Sequence, residues 1–187
     1  MPTWLKLAGW AVTAAALAVY AVMVMVTLPH LAQLAGGMPM FDMRPGGYDF
    51  ETARTILAAL GDEGRGYYAL VQHGLDALYP PLIGLTLCYW FLRAAPRWRR
   101  AGLPLSPIAL GMLIGIGFMA SAFDMTENAA VSTMLAAGPD RVTPDMVSGA
   151  DIFTRAKSIT ATFAYSALLV MALLPFASRF WQRNERA

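Results

Sequence analysis

Four long runs of apolar residues dominate the chain, and most of the charged residues lie between or beside them. The runs cover about residues 5–30, 67–93, 105–137 and 150–180. A bilayer core about 30 Å thick needs roughly 20 apolar residues in helical conformation, and each run is at least that long. The pattern therefore predicts an all-α fold, a polytopic membrane four-helix bundle that forms a single transmembrane domain over residues 1–187.

The composition agrees with a membrane protein. Only 14% of the residues are charged, whereas about a quarter are charged in a typical soluble domain. The first run continues without interruption from Leu7 to Leu28. It is therefore too long for the core of a signal peptide and indicates a retained anchor. Cys88 is the only cysteine, which excludes an intrachain disulfide and a CxxC redox pair.

The basic residues are sorted to one end of the predicted helices. Eight of the 14 Lys and Arg residues, but one of the 12 acidic residues, lie in the N-terminal segment, the loop between the second and third runs, or the C-terminal tail. The positive-inside rule then places both termini in the cytoplasm, with residues 31–66 forming an outward loop. We expect a bacterial inner-membrane protein whose arginines and tail contact anionic lipid and do not bind nucleic acid.

The outward loop contains its own helical signal. Turn sequences GGMP and RPGG precede the stretch DFETARTILAAL. Asp49 suits an N-cap, Gly61 suits a helix stop, and the apolar residues between them share one face. The stretch is predicted to form a short amphipathic helix that lies on the membrane surface or caps the bundle. Farther along, Thr143 followed by Pro144 predicts the start of the last helix.

Two predicted helices carry polar stripes. Asp124, Glu127 and Asn128 have i, i+3, i+4 spacing and share one face of the third helix. Small residues on the same helix, Gly111 and Gly115, are spaced for close contact with a neighbouring helix. The second helix carries a stripe that consists of Tyr68, Gln72, Asp76 and Tyr79.

The polar groups of different helices are predicted to lie at one depth. At about 1.5 Å per residue from the cytoplasmic boundary, Asp124 lies roughly 28 Å and Asp76 roughly 25 Å into the membrane. Arg155 and Lys157 reach a similar depth on the fourth helix. Because a charge facing lipid costs roughly 2.5–3.5 kcal/mol near the helix centre, we expect the carboxylates to face one another, with Arg155 or Lys157 as counter-charge.

These residues define a candidate ligand-binding site in the outer third of the membrane. A purely structural hydrogen-bond network that holds the helices in register is the alternative interpretation. Asp42 and Arg44 are most simply explained as an ion pair within the outward loop. The candidate site comprises Tyr68, Gln72, Asp76, Asp124, Glu127, Asn128 and Arg155, together with Asp42, Arg44 and Tyr48 from the loop.

No metal or cofactor is identified from the sequence. Met38, Met40 and Met43 form an MxMxxM string, and thioethers suit Cu(I). Chance clustering among 12 methionines is the simpler explanation of that string. The chain has no nucleotide-binding loop, no HExxH or GxSxG motif and no pair of histidines suited to haem.

Three motifs resemble those of an uncharacterised group of small bacterial four-helix membrane proteins. The group has F-D-x-R-P-x-G-Y in the first outward loop, G-R-x-x-Y at the start of the second helix and D-x-x-E-N in the third. Here the motifs read FDMRPGGY (41–48), GRGYY (64–68) and DMTEN (124–128). The chain departs from the group at His73-Gly74, where the group has a proline. The resemblance implies the same architecture and marks the same polar residues, but it carries no activity.

Three functions are compatible with the sequence. The first is a pocket near the outer leaflet that binds a small polar or amphipathic ligand, such as a lipid headgroup. The second is an intramembrane enzyme that uses Asp124 and Glu127 as acid and base on a lipid or isoprenoid. The third is an accessory or assembly subunit of a larger membrane complex. The sequence alone does not decide whether the protein is an enzyme.

Overall fold

The structure is a computed structural model that describes residues 1–184, with side chains through residue 177. Every regular element in that part is helical. The all-helical fold is confirmed for this part of the chain, and four helical units are long and apolar enough to cross a membrane, which is consistent with a multi-pass protein. The predicted contacts of the tail, including Arg179, Arg183 and Arg186, lie outside the described side chains. The four units are Thr3–Leu34, Phe50–Arg100, Pro107–Arg141 and Pro144–Ala177.

The first unit is built of three segments. Helix α1 (Thr3–Val22) continues into a π-helical segment (Met23–Thr27) and then into α2 (Leu28–Leu34). The chain is then irregular through residue 49, apart from a 3₁₀ turn at Phe41–Met43. We call residues 35–49 the connecting loop.

The second unit joins the helical stretch of the outward loop to the second apolar run. Helix α3 (Phe50–Tyr67) leads through a π-helical segment (Tyr68–Gln72) into α4 (His73–Arg100). The Asp49 side chain caps α3 by accepting a hydrogen bond from the Thr52 amide at 2.8 Å. At Gly61 (φ 59°), the residue that the sequence marks as a helix stop, the backbone leaves the helical conformation, so α3 consists of two helical stretches separated by a kink. The irregular part of the connection therefore ends at residue 49, and α3 covers the stretch for which the sequence predicts a helix within the outward loop.

The last two units are single long helices. Helix α5 (Pro107–Arg141) is capped by the Ser106 hydroxyl, which accepts from the Ala109 amide at 3.0 Å, and has a break at Gly138. Helix α6 (Pro144–Asn184) begins where Thr143-Pro144 predicts. The α5–α6, α4–α5 and α1–α4 pairs make the most extensive contacts.

Two apolar cores stabilise opposite ends of the bundle. At one end, connecting-loop residues Met40, Phe41 and Tyr48 are buried against α3 and α5 residues such as Ile56 and Met134. At the other end, the core consists of Leu87, Phe91, Ala94, Ala95, Ala164 and Met171. The connecting loop is therefore part of the packed structure, and it brings its polar side chains to the helices.

Candidate functional site

One lysine connects three carboxylates from three different parts of the chain. The Lys157 ammonium on α6 lies 3.2 Å from Asp42 Oδ1 in the connecting loop and 3.2 Å from Asp124 Oδ1 on α5. It also pairs with the carboxylate of Glu127, one turn after Asp124. We call these four residues the lysine–carboxylate cluster. The structure thus selects Lys157 as the counter-charge and brings Asp124 and Glu127 together as predicted.

Glu127 is the innermost member of this cluster. Its side chain is fully buried. The Thr154 hydroxyl on α6 donates to Glu127 Oε1 at 2.5 Å, while Oε2 faces Lys157. Both carboxylate oxygens are therefore fixed by α6. Thr154 is absent from the sequence-predicted site, although its i, i+3 spacing to Lys157 places both on one helix face.

Asp42 does not form the predicted ion pair with Arg44. The Tyr68 hydroxyl donates to Asp42 Oδ2 at 2.6 Å, and Lys157 donates to its other oxygen. The Arg44 guanidinium instead donates to the Pro39 carbonyl at 3.2 Å. The 3₁₀ turn explains the difference, because it buries Phe41 in the core and brings the adjacent Asp42 to α6.

Asp76 lies beside the lysine–carboxylate cluster in a second network. Gln72 Nε2 donates to Asp76 Oδ1 at 3.0 Å, and the Thr27 hydroxyl donates to Gln72 Oε1 at 2.5 Å. Asn128 Nδ2 donates to the Asp76 backbone carbonyl at 3.2 Å. Asp76 is only 3% exposed, and its Oδ2 atom has no hydrogen-bond partner among the described side chains and backbone.

Both π-helical segments end at residues of this second network. Thr27 is the last residue of Met23–Thr27, and Gln72 is the last of Tyr68–Gln72. A π turn inserts one extra residue into a helix and is frequent at functional sites. Here the last residues of the two π-helical segments meet through the Thr27–Gln72 hydrogen bond. The spacing of residues along the sequence does not reveal such a change in helical pitch.

Arg155 lies apart from the cluster. Its guanidinium donates to Asp151 Oδ2 at 2.8 Å, and 56% of its side chain is exposed. The other Asp151 oxygen accepts from the Tyr48 amide at 2.7 Å. Gly47 (φ 88°) passes so close to Asp151 and Arg155 that a Cβ there would collide with both side chains. Of the two predicted counter-charges, Arg155 or Lys157, it is therefore Lys157 that contacts the carboxylates of the cluster, whereas the Arg155–Asp151 pair fastens the connecting loop to α6.

Tyr48 is held in the packed part of the loop. Its side chain is buried in the core around Phe41, with ring centroids 5.0 Å apart. Burial raises the pKa of the Tyr48 phenol above its ordinary value, so the side chain is neutral at physiological pH. Tyr48 therefore anchors the connecting loop in the apolar core.

The carboxylates have the spacing of a cation site, and Lys157 supplies the cation. Oxygens of Asp42, Asp124 and Glu127 all lie within 4.8 Å of one another. The Lys157 ammonium contacts each of them.

The methionine string is divided between two environments, since Met40 is in the core whereas Met43 is half exposed.

A cavity of about 470 Å³ opens beside the two networks, between α1, α4, α5 and α6. Its volume is in the usual range for small-molecule sites. Asp42, Asp76, Asp124 and Lys157 line its polar end. Glu127, Gln72 and Tyr68 do not line it but hold the residues that do. Its remaining walls include three tyrosines and apolar side chains, among them Tyr20, Tyr79, Tyr165, Ile83, Leu87, Ala120 and Ala161.

In comparisons with protein-family models, curated proteins and solved structures, nothing matches this chain. The function of the chain is therefore inferred from the geometry of the site. It combines a charged end, held by a buried network, with a long apolar wall. That combination suits a molecule with a polar head and an apolar body.

Proposed function

We propose that this chain is an integral inner-membrane protein whose cavity binds a small polar or amphipathic ligand. The observation that carries the proposal is the cavity itself, which joins Asp42, Asp76, Asp124 and Lys157 to a predominantly apolar wall. The polar head of the ligand lies at these charged residues. Its apolar part extends along α4 and α5 toward Leu87.

In the proposed orientation, the polar end of the cavity faces the outer leaflet. Support comes from the arginines at the opposite end of the bundle, at the end of α4, which by the positive-inside rule belong in the cytoplasm with both termini. Helix α3 then serves as the amphipathic helix of the outward segment. The connecting loop closes the cavity from above, since Asp42, Met43 and Pro45 line it.

Selectivity in such a site comes from the head of the ligand. An apolar chain that moves from lipid into an apolar cavity gains little, because lipid tails are as apolar as the cavity wall. Polar contacts made away from water are stronger, since the effective dielectric constant is low. The buried polar network therefore determines which head group binds, and the apolar wall determines the length and shape of the ligand's apolar chain.

The position of Glu127 favours binding over acid–base catalysis by the Asp124/Glu127 pair. Only Asp124 lines the cavity, whereas Glu127 is fully buried behind it. A general acid or base must come within hydrogen-bond reach of the reacting atom. Glu127 has its two oxygens engaged by Thr154 and Lys157, and its role here is to orient the lysine.

The proposal is tested by measuring what the protein retains on purification. Wild type, Asp124→Asn and the control Asp140→Asn are purified in mild detergent, and bound small molecules are extracted and quantified by mass spectrometry. Asp124 lines the cavity, whereas Asp140 is exposed farther along the same helix. Loss of one charged hydrogen bond predicts about tenfold less retained ligand in Asp124→Asn, with no change in Asp140→Asn.

Two outcomes contradict the proposal. One is equal retention by Asp124→Asn and wild type. The other is a wild-type preparation that contains a stoichiometric partner protein and no small molecule, which would favour an accessory subunit. Size-exclusion profiles of the three proteins show whether Asp124→Asn assembles normally.

A further inference from the structure

The polar end of the cavity has more acidic groups than basic ones. Asp42, Asp76 and Asp124 line it with Lys157 as the only cation among the described lining residues. That ammonium is already shared with Glu127 behind the wall. Charges of one sign in a region of low dielectric constant strongly favour a cation in the space between them. The cavity is therefore suited to a ligand that brings positive charge.

A second observation, independent of the number of charges, is that the Asp76 carboxylate has an acceptor for which the described residues supply no hydrogen-bond donor. The Asp76 side chain is 3% exposed and lines the cavity, and within the part of the chain that the structure describes its Oδ2 atom has no hydrogen-bond partner. Gln72 holds the other oxygen, so the carboxylate is fixed with one acceptor unused. Buried polar atoms are nearly always hydrogen-bonded, and an unused acceptor is destabilising. A ligand head in the cavity can supply the donor.

We propose that the ligand is an amphiphilic amine, whose protonated primary or secondary amino group donates an N–H to the Asp76 carboxylate while its chain lies along Tyr79, Ile83 and Leu87. This inference rests on the proposed function of the cavity and names the class of ligand. An alcohol head donates a hydrogen bond but does not compensate the excess negative charge of the cavity. A quaternary ammonium brings charge but has no N–H, and a carboxylate head is repelled.

The same charges select against phospholipids. A phosphate needs cationic or N–H partners, and the Lys157 ammonium is occupied by three carboxylates. Arg155, the next cation along α6, is paired with Asp151 outside the cavity. We therefore expect a simple amine amphiphile to bind more tightly than an aminophospholipid with the same apolar length.

Photolabelling tests this assignment directly. Two probes share one dodecyl chain with a diazirine, and they end in a primary amine or in a hydroxyl. Each is irradiated with the full-length protein in lipid nanodiscs, and labelling of cavity peptides is quantified by mass spectrometry. The amine-to-alcohol labelling ratio is compared between wild type, Asp76→Asn and the exposed control Asp62→Asn. Comparing ratios between variants cancels the different partitioning of the two probes into lipid.

The expected amine-to-alcohol ratio is about tenfold higher in wild type and Asp62→Asn than in Asp76→Asn. A second measurement uses wild type alone: dodecylamine should displace the amine probe at lower concentration than dodecanol, dodecyltrimethylammonium or a short-chain phosphatidylethanolamine. This measurement keeps the assignment testable if Asp76→Asn does not fold.

The failure of this inference can be told apart from the failure of the proposed function. Equal ratios in wild type and Asp76→Asn, with both probes labelling the cavity, overturn the amine assignment and leave the binding function intact. Stronger displacement by phosphatidylethanolamine also overturns it and indicates a phospholipid. If neither probe labels cavity peptides of wild type, both proposals are wrong.

Discussion

Lys157 holds together residues that are far apart in the sequence. It contacts Asp42 and Asp124 at 3.2 Å and also pairs with Glu127. Removing one partner from a buried ion pair leaves uncompensated charge, which typically costs about 3–5 kcal/mol. The cluster therefore couples the connecting loop, α5 and α6, and it keeps Asp124 at the cavity wall.

We predict that Lys157→Met lowers the thermal unfolding midpoint in detergent by roughly 10 °C, because three carboxylates lose their cation. Lys6→Met is the control, since Lys6 is an exposed residue near the start of α1. Differential scanning fluorimetry of both variants measures the effect. An unfolding midpoint of Lys157→Met equal to that of Lys6→Met would show that the cluster does not stabilise the fold.

At the scale of single residues, the spacing along the sequence predicts which polar side chains share one face of a helix. Asp124, Glu127 and Asn128 share a face by their i, i+3, i+4 spacing, and the structure brings all three toward α4 or α6. The partner of Asp42 could not be predicted in this way. It depends on how Phe41 packs in the core, which is a tertiary contact.

At the scale of the helices, the stability of α3 depends on its N-cap residue, Asp49. Hydrogen bonds from the Thr52 side chain and amide lower the pKa of the exposed Asp49 carboxyl below its ordinary value of 3.8. A group whose pKa is lower in the folded state stabilises that state above its unfolded pKa. This contribution is lost as the pH falls through the lower, folded-state pKa.

We predict that Asp49→Ser, which retains a capping oxygen, unfolds at nearly the same temperature as wild type at neutral pH. On acidification below pH 3.8, wild type should lose more stability than Asp49→Ser, since only the carboxyl titrates. Thermal unfolding of both proteins from neutral to acidic pH checks this. Parallel pH curves for the two proteins would contradict the capping role.

The contact between α4 and α5 depends on Gly84. A Cβ at Gly84 would lie 2.6 Å from Ser121 Oγ and 3.2 Å from the Phe118 ring, whereas nothing lies within 4 Å of one at Gly111 or Gly115. The spacing of Gly111 and Gly115 predicted close helix contact, and that prediction is wrong. The spacing of small residues identifies a possible close-contact face, but the packing of the whole bundle decides which glycines are used.

We predict that Gly84→Leu destabilises the protein by about 2 kcal/mol through overpacking, and that Gly111→Leu does not destabilise it. The thermal unfolding midpoints of the two variants measure this difference. Equal midpoints would mean that α4 and α5 are not in close contact at Gly84.

For the whole molecule, the sequence predicts the number of helices because bilayer thickness fixes their length. The four apolar runs all correspond to helical units of the structure. The predicted ends are less accurate, since the second helical unit covers Phe50–Arg100 whereas the second apolar run covers residues 67–93. The sequence predicts a polar pocket, but not the size of the cavity or its apolar walls, because these depend on the angles and distances between helices, which sequence periodicity does not contain.

The proposed orientation makes a prediction about accessibility. In a Cys88→Ala background, Glu63→Cys should react with a membrane-impermeant maleimide on intact cells. Arg100→Cys should react only after permeabilisation. Both positions are exposed, and they lie in α3 and at the end of α4. Labelling of Arg100→Cys, but not Glu63→Cys, on intact cells would reverse the orientation.

Native mass spectrometry of the intact protein tests the central claim, ligand binding in the cavity, most directly. Ala120→Leu fills the cavity wall, whereas Ala122→Leu adds the same side chain at an exposed position two residues away. We predict one small-molecule adduct of constant mass per chain in wild type and Ala122→Leu, and its loss in Ala120→Leu. Bare protein in all three samples, or the same adduct in Ala120→Leu, would contradict a ligand-binding cavity.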